Sequence, residues 1–259
     1  REHLYIGGEW VAPRGEGSIE VVNPANEQLI GSVPVGSAAD IDAAVASARA
    51  AFPSWSETPV EERAEYLNRL SAAIKEQAEE LSQLITSEVG TPINYCRMAM
   101  VGTPAVVSRS YAKILEGFEW EEEVRNSLVI KEPVGVVAMI TPWNFPNAMI
   151  TRKAGPALAA GCAFVARPAE LTPLSATAIA VLADRAGIPA GVFSVVPSSN
   201  ASETGLEFCE NNAVRKLTFT GSTEVGRILM RQAADTVMKC SMELGGNAPF
   251  IVFDDADID

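Results

Sequence analysis

Apolar residues recur at helical spacing through roughly the first 118 positions, then give way to short β-rich runs. In the first part, Ser37 with Asp40 three residues on reads as a capping box. It opens a helix over 38–51 whose modest apolar face is Ala44, Val45, Ala48 and Phe52. Thr58 as cap, Pro59 at the first helical position and Glu61 start a second helix. Leu67, Leu70, Ile74, Leu81, Leu84 and Ile85 carry it to about Glu88, Gly90 stops it, and its Glu-rich face reads as solvated surface. A third helix spans about 93–118 with a bend near Pro104. Ahead of these, Tyr5 to Trp10 reads as strand, Gly-Gly turn and strand, and Asn23-Pro24-Ala25-Asn26 as a turn.

After Trp120 the period shortens. A run at 127–131 is followed by candidate strands at 134–140, 163–167, 192–196, 216–219 and 237–242. Helical stretches near 148–160, 174–186, 202–210 and 223–234 lie between them. That alternation predicts a parallel sheet of βαβ units. Pro249 to Phe253 reads as one more strand, and Asp254-Asp255-Ala256-Asp257 as an acidic helix start without a stop signal, so the sequence is expected to continue beyond Asp259.

Composition removes several chemistries. Among 259 residues, 20 Lys and Arg face 33 Asp and Glu, and a net charge of −13 opposes nonspecific binding to nucleic acid or anionic membrane. The only histidine is His3, which leaves no Ser-His-Asp or Cys-His arrangement without it and no HExxH zinc helix. Cys96, Cys162, Cys209 and Cys240 are widely spaced, form no CxxC pair and point to a reducing compartment. The apolar stretches fall short of a membrane span.

Parallel α/β sheets bind ligands at the carboxyl ends of their strands, and four predicted ends carry unusual residues. Thr141-Pro142-Trp143-Asn144-Phe145-Pro146 holds an amide in a proline-restricted loop, as a donor to a developing oxyanion or as a plain rigid turn. Arg167-Pro168-Ala169-Glu170 suits a ribose hydroxyl or phosphate, or is a surface ion pair. Gly221-Ser222 lets backbone N–H groups approach a phosphate, or is a tight turn with Ser222 as helix cap; it is not a Walker A loop, and no GxGxxG occurs. Glu243, flanked by apolar residues and Gly245-Gly246, is a partly desolvated general base or a surface carboxylate. At successive ends of one sheet, the four describe a pocket.

Thr141-Pro142-Trp143-Asn144-Phe145-Pro146, Gly155-Pro156-Ala157-Leu158-Ala159-Ala160-Gly161, Phe219-Thr220-Gly221-Ser222 and Glu243-Leu244-Gly245-Gly246 resemble the aldehyde dehydrogenase superfamily in order and spacing, over an N-terminal portion of about half a family member. From Met139 onward, as in Ala148-Met149-Ile150-Thr151-Arg152-Lys153, the chain is most similar to succinate-semialdehyde dehydrogenases, whereas Thr103 to Arg109 looks more like other bacterial members. The resemblance implies an α/β fold: a Rossmann-type parallel-sheet nucleotide-binding domain over 1–118 and 135–246, part of an oligomerisation β arm over 119–134, and the start of a truncated catalytic domain over 247–259.

It also implies roles. Asn144 would be the oxyanion-hole amide and Glu243 the general base. Trp143, Asn144 and Leu244 would lie at the nicotinamide end of NAD (NADP as the alternative), Gly221 and Ser222 at the pyrophosphate and Arg167 and Glu170 at the adenosine ribose, with Ile140, Thr141, Pro142, Pro168 and Ala169 also in the cofactor site. Arg152 would hold a substrate carboxylate, and no metal is implied. Arg167 stands where the family usually has Lys, and Glu170 favours NAD because a carboxylate repels a 2′-phosphate. The family nucleophile, a cysteine, would lie beyond residue 259, and buried packing is the reading for Cys162, Cys209 and Cys240. The resulting expectation is a cytoplasmic homo-oligomer that oxidises a short aldehyde such as succinic semialdehyde, binds neither nucleic acid nor membrane, and is inactive as these 259 residues alone. The alternatives are a nucleotide-binding module without catalysis or a broad-specificity aldehyde dehydrogenase.

Overall fold

The computed structural model describes residues 2–257. Strands β1 (Leu4–Ile6), β2 (Glu9–Val11), β3 (Ser18–Val22) and β4 (Leu29–Pro34) precede helices α1 (Ala38–Ser56), α2 (Val60–Glu76), α3 (Ala78–Val89) and the short α4 (Ile93–Tyr95). A π-helical turn, Cys96–Val101, leads into α5 (Gly102–Leu115). Hairpin β5 (Glu121–Val124) and β6 (Ser127–Ile130) follows. Then come β7 (Val136–Ile140), α6 (Pro146–Ala159), β8 (Ala163–Arg167), α7 (Pro173–Arg185), β9 (Phe193–Val195), α8 (Ala201–Glu210), β10 (Val214–Thr220), α9 (Thr223–Ala234) and β11 (Lys239–Glu243).

Seven strands form the main sheet in the order β11-β10-β7-β8-β9-β1-β2. The five from β7 to β11 are parallel, as the alternation predicts. The Gly7-Gly8 hairpin does form, and it adds β1 and β2 antiparallel to the β9 edge, which sequence pattern does not reveal. β3 and β4 form a separate antiparallel pair and are not predicted at all; their edges are partly exposed, so they lack a clear apolar alternation.

Side chains of β7 alternate between two cores. Val137 and Met139 face α2, α3, α5, α6 and α7; Val136, Ala138 and Ile140 face the α1, α8 and α9 side. Burial on both faces is what a parallel sheet flanked by helices requires.

Several helical boundaries differ from the sequence expectation. α1 continues past Pro53 to Ser56, held by the buried Trp55. The Ser37–Asp40 box is present, and the buried Asp40 carboxylate also accepts from the N–H groups of Arg14 and Gly15. Thr58 does not cap the next helix: its hydroxyl donates back to the Ser54 carbonyl, and Pro59 is the cap. The single helix expected over 58–88 is broken at Gln77 into α2 and α3. Ile74 and Leu81 keep a seven-residue spacing across the break, so the period conceals it. The irregularity expected at Pro104 lies just upstream, in the π-helical turn, which ends three residues before the proline, runs directly into α5 and so precedes the position where Pro104 offers no N–H. Residues 249–253 form no strand: Phe250 and Phe253 are exposed, with no neighbouring strand among the described residues.

One acidic residue of α3 lies on its buried apolar face rather than its solvated one. Glu88 follows Leu81 and Ile85 on the buried stripe and is only 4% exposed. Burial pushes it up to about 7, against the hydrogen bonds it accepts from Ser175 and Leu174. The folded protein therefore holds this proton more tightly than the unfolded chain. Its stabilising contribution is complete below about pH 4.5 and declines as the pH rises to about 7. Melting across pH 4 to 8 should give a wild-type minus Glu88→Gln stability difference that falls by up to about 3 kcal/mol over that window. A pH-independent difference would show that the carboxyl does not titrate there.

Candidate functional site

Register aligns four strand ends. Thr220 pairs with Glu243, Phe219 with Ile140, and Ile140 with Arg167. At about 4.8 Å between neighbours, the line from Glu243 to Arg167 spans about 14 Å. The loops predicted to bind a ligand leave the sheet along this line.

Arg167 ends β8 and is 5% exposed, so it is not the surface ion pair that the sequence left open. One of its terminal nitrogens donates to Glu170 Oε2 at 2.9 Å and to the Ser198 carbonyl at 2.8 Å, while its Nε has no partner. Burial pulls the guanidinium down, and Glu170 opposes this. Pro168 and Ala169 are buried and Glu170 is exposed.

The loop after β7 is fixed at both ends. Ile140 and Thr141 are buried, and the Thr141 N–H donates to the Arg167 carbonyl at 3.2 Å. Pro142 is half-buried; Trp143 (50% exposed) and Asn144 are open. Trp143 is therefore not packed into the core. Phe145 meets Tyr95 edge-on at 6.3 Å, next to the π-helical turn.

At β10, Gly221 donates its N–H to the backbone carbonyl of Glu243 at 3.1 Å. Ser222 is an N-cap, its hydroxyl accepting from the Val225 N–H at 3.2 Å. The helix-cap reading of this turn is thus observed, and the N–H groups of Thr223 and Glu224, without intrahelical partners, lie at the positive end of α9. A Cβ on Gly226 would come within 2.6 Å of Leu244, so glycine there lets the half-exposed Leu244 lie against α9.

Glu243 ends β11 and is exposed, which corrects the expectation of a desolvated carboxylate. It lines an open groove of about 720 Å³ between α6 and one face of β10 and β11. Arg152 lines the same groove; Trp143 and Asn144 do not. Sequence reasoning missed Lys153, whose Nζ donates to the Thr218 hydroxyl at 2.8 Å. Burial pushes Lys153 down to about 8, Glu243 opposing and Lys216 reinforcing the shift. The available signal was its place in the groove-lining stripe Met149, Lys153, Pro156 and Ala160, a cation on an otherwise apolar helical face.

None of the four cysteines is placed as a nucleophile. Cys96, Cys162 and Cys209 are buried, and burial raises Cys162 and pushes Cys209 up to about 11. Cys240, expected to be buried, is only partly so, and its thiol is also raised by burial. Among the described residues no cluster of His, Cys, Asp and Glu could hold a metal, and no helix is long and apolar enough to cross a membrane.

The profile of the aldehyde dehydrogenase family matches residues 10–259. The chain is 49% identical over 266 aligned positions to a glutarate-semialdehyde dehydrogenase of Pseudomonas aeruginosa, covering 100% of this chain and 54% of that protein. It is 48% identical to the succinate-semialdehyde dehydrogenase [NADP(+)] of Escherichia coli strain K12, with 100% and 54% covered. The crystal structure of a mutant aldehyde dehydrogenase C from Pseudomonas syringae, in complex with NAD+ and octanal, superposes with a TM-score of 0.94 at 42% identity, over 99% of this chain and 53% of that one. The chain thus spans about half the length of the relatives it matches.

Proposed function

The chain belongs to the aldehyde dehydrogenase family, and from that premise we propose that it supplies the dinucleotide site and two catalytic groups for NAD(P)-dependent oxidation of a short, carboxylate-bearing aldehyde to the acid. The observation that carries this reading is the in-register row Arg167, Ile140, Phe219–Thr220 and Glu243. Two features fit a dinucleotide: the unpartnered first-turn N–H groups of α9, suited to a pyrophosphate, and the Arg167–Glu170 pair at the far end of the row. When bound, NAD(P) supplies the hydride acceptor.

In this reading Gly221 shapes the pyrophosphate turn and Ser222 orders it. Arg167, Pro168, Ala169 and Glu170 face the adenosine ribose. Ile140, Thr141, Pro142, Trp143, Asn144 and Leu244 border the nicotinamide end. The Asn144 amide donates to the developing oxyanion, and Glu243 takes a proton from the water that releases the acid. Arg152, in the same groove as Glu243, holds the substrate's carboxylate. The semialdehyde names of the two relatives support that substrate class. Lys153, pushed down to about 8 by burial, holds its proton in the same groove as Glu243, whose charge opposes that shift. None of the four cysteines among these 259 residues is placed as the thiol nucleophile, so these residues alone are not expected to turn over.

Residues 1–118 and 135–246 are read as the dinucleotide-binding domain, and 247–259 as the start of the catalytic one. The hairpin over 119–134 fits an oligomerisation arm: every residue of β5 and β6 is exposed, including Leu128 and Ile130, and an isolated two-stranded ribbon is marginal in water. A homo-oligomer in the cytoplasm completes the reading.

Arg167 decides between the two cofactors. An arginine can bind a 2′-phosphate, but this one is already held by Glu170 and the Ser198 carbonyl, and Glu170 opposes further negative charge. Calorimetric titration of the chain should give heat with NAD and about tenfold weaker binding of NADP, with Glu170→Ser bringing the two within about threefold. No heat with either dinucleotide would overturn the proposal.

A further inference from the structure

A carboxylate outside the row of strand ends ties two of its loops together. Glu88, in the last turn of α3, accepts from the N–H of Leu174 at 2.7 Å and of Ser175 at 2.9 Å, and also from the Ser175 hydroxyl. The two N–H groups belong to the first turn of α7, where no intrahelical partner exists. The residue just before α7, Thr172, is buried. Its N–H donates to the Ala169 carbonyl at 3.2 Å, and its hydroxyl donates to the Trp143 carbonyl at 3.3 Å. The start of α7 therefore touches both the loop after β8 and the loop after β7, and its position is fixed by a side chain from another helix.

We infer that Glu88 is a positioning residue for the dinucleotide site: it anchors the first turn of α7 and, through Thr172, sets the Arg167–Thr172 loop against the Thr141–Pro146 loop. The inference rests on reading those loops as a dinucleotide site. A purely structural Glu88 would lower stability and leave affinity alone. A positioning Glu88 must change affinity in protein that is still folded.

The test measures the NAD dissociation constant by calorimetry, with a thermal melt of each protein, at a temperature where all are folded. Glu88→Ala should weaken NAD binding about tenfold, since small displacements of binding groups are costly. Glu88→Gln, which keeps one acceptor oxygen, should lose less. Thr172→Val should weaken binding to a similar extent as Glu88→Ala with a smaller loss of melting temperature, and the double variant Glu88→Ala with Thr172→Val should bind no worse than Glu88→Ala alone. Ser71→Ala removes a buried hydroxyl that donates to the Ala105 carbonyl between α2 and α5; it should lower the melting temperature without changing affinity. If wild type binds NAD and the Glu88 and Thr172 variants match it within twofold, the inference fails while the dinucleotide reading stands. If Glu88→Ala does not fold, unchanged affinity in both Glu88→Gln and Thr172→Val overturns the inference equally. No binding by wild type removes the dinucleotide reading and this inference with it.

Discussion

Replacing Glu243 by Gln, in enzyme that includes the thiol-bearing segment, should lower steady-state oxidation of a short semialdehyde about 10³-fold. The substitution conserves shape and removes the base. Because Glu243 is exposed at the end of β11 and its backbone carbonyl, not its side chain, receives the Gly221 N–H, the fold and the dinucleotide turn should be unaffected. In the proposed reading Glu243 acts on the water that releases the acid, after the hydride has left the substrate. Rapid mixing should therefore still give a burst of about one NADH per site, followed by slow turnover. A lost burst would place Glu243 in the earlier step, and unchanged turnover would remove it from the mechanism. The variant also takes away the carboxylate that keeps Lys153 charged, so the Lys153 ammonium should be lost at a lower pH than in the wild type.

Asn144→Ala should cost about 10² to 10³ in kcat/KM, and here the burst should slow together with the steady state. The amide is free to act: it makes no side-chain hydrogen bond among the described residues. The backbone that carries it is held by Thr141 on Arg167, Thr172 on Trp143, and the prolines on either side. NAD affinity measured by titration should stay within about threefold of wild type, because an amide aimed at an oxyanion contributes chiefly to the transition state. Affinity falling in parallel with rate would reassign Asn144 to cofactor binding alone.

The two substitutions separate because the groups occupy different places. Glu243 lines the groove with Arg152 and Lys153, whereas Asn144 lies outside it. Sequence spacing put all four loops at strand ends, and the parallel register places them side by side. What periodicity could not reveal is what depends on partners distant in sequence. Glu88 reads as one more acidic residue on a charged helix until α7 is packed against it. Lys153 reads as the neighbour of Arg152 until Thr218 and Glu243 are brought to its face of the sheet. The β1–β2 hairpin is legible from Gly7-Gly8, but its docking on β9 depends on contacts distant in sequence, the Tyr5–Val195 pairing, the Gly7 N–H on the Ser194 hydroxyl and the Tyr5–Phe193 ring contact. The desolvation expected of Glu243 failed for the same reason: flanking apolar residues do not bury a carboxylate at the open end of an edge strand.

The bond from the Gly221 N–H to the Glu243 carbonyl has a consequence for engineering. If the proposed roles hold, redesigning the Gly221–Ser222 turn to accept a different dinucleotide would displace Glu243, so gains in affinity there should trade against the rate of acid release. The ribose end lies about three strand spacings away, roughly 14 Å, and shares no such bond with Glu243. Changes of coenzyme preference are therefore better sought at Glu170 and its neighbours, where the hydrolytic step should be left untouched.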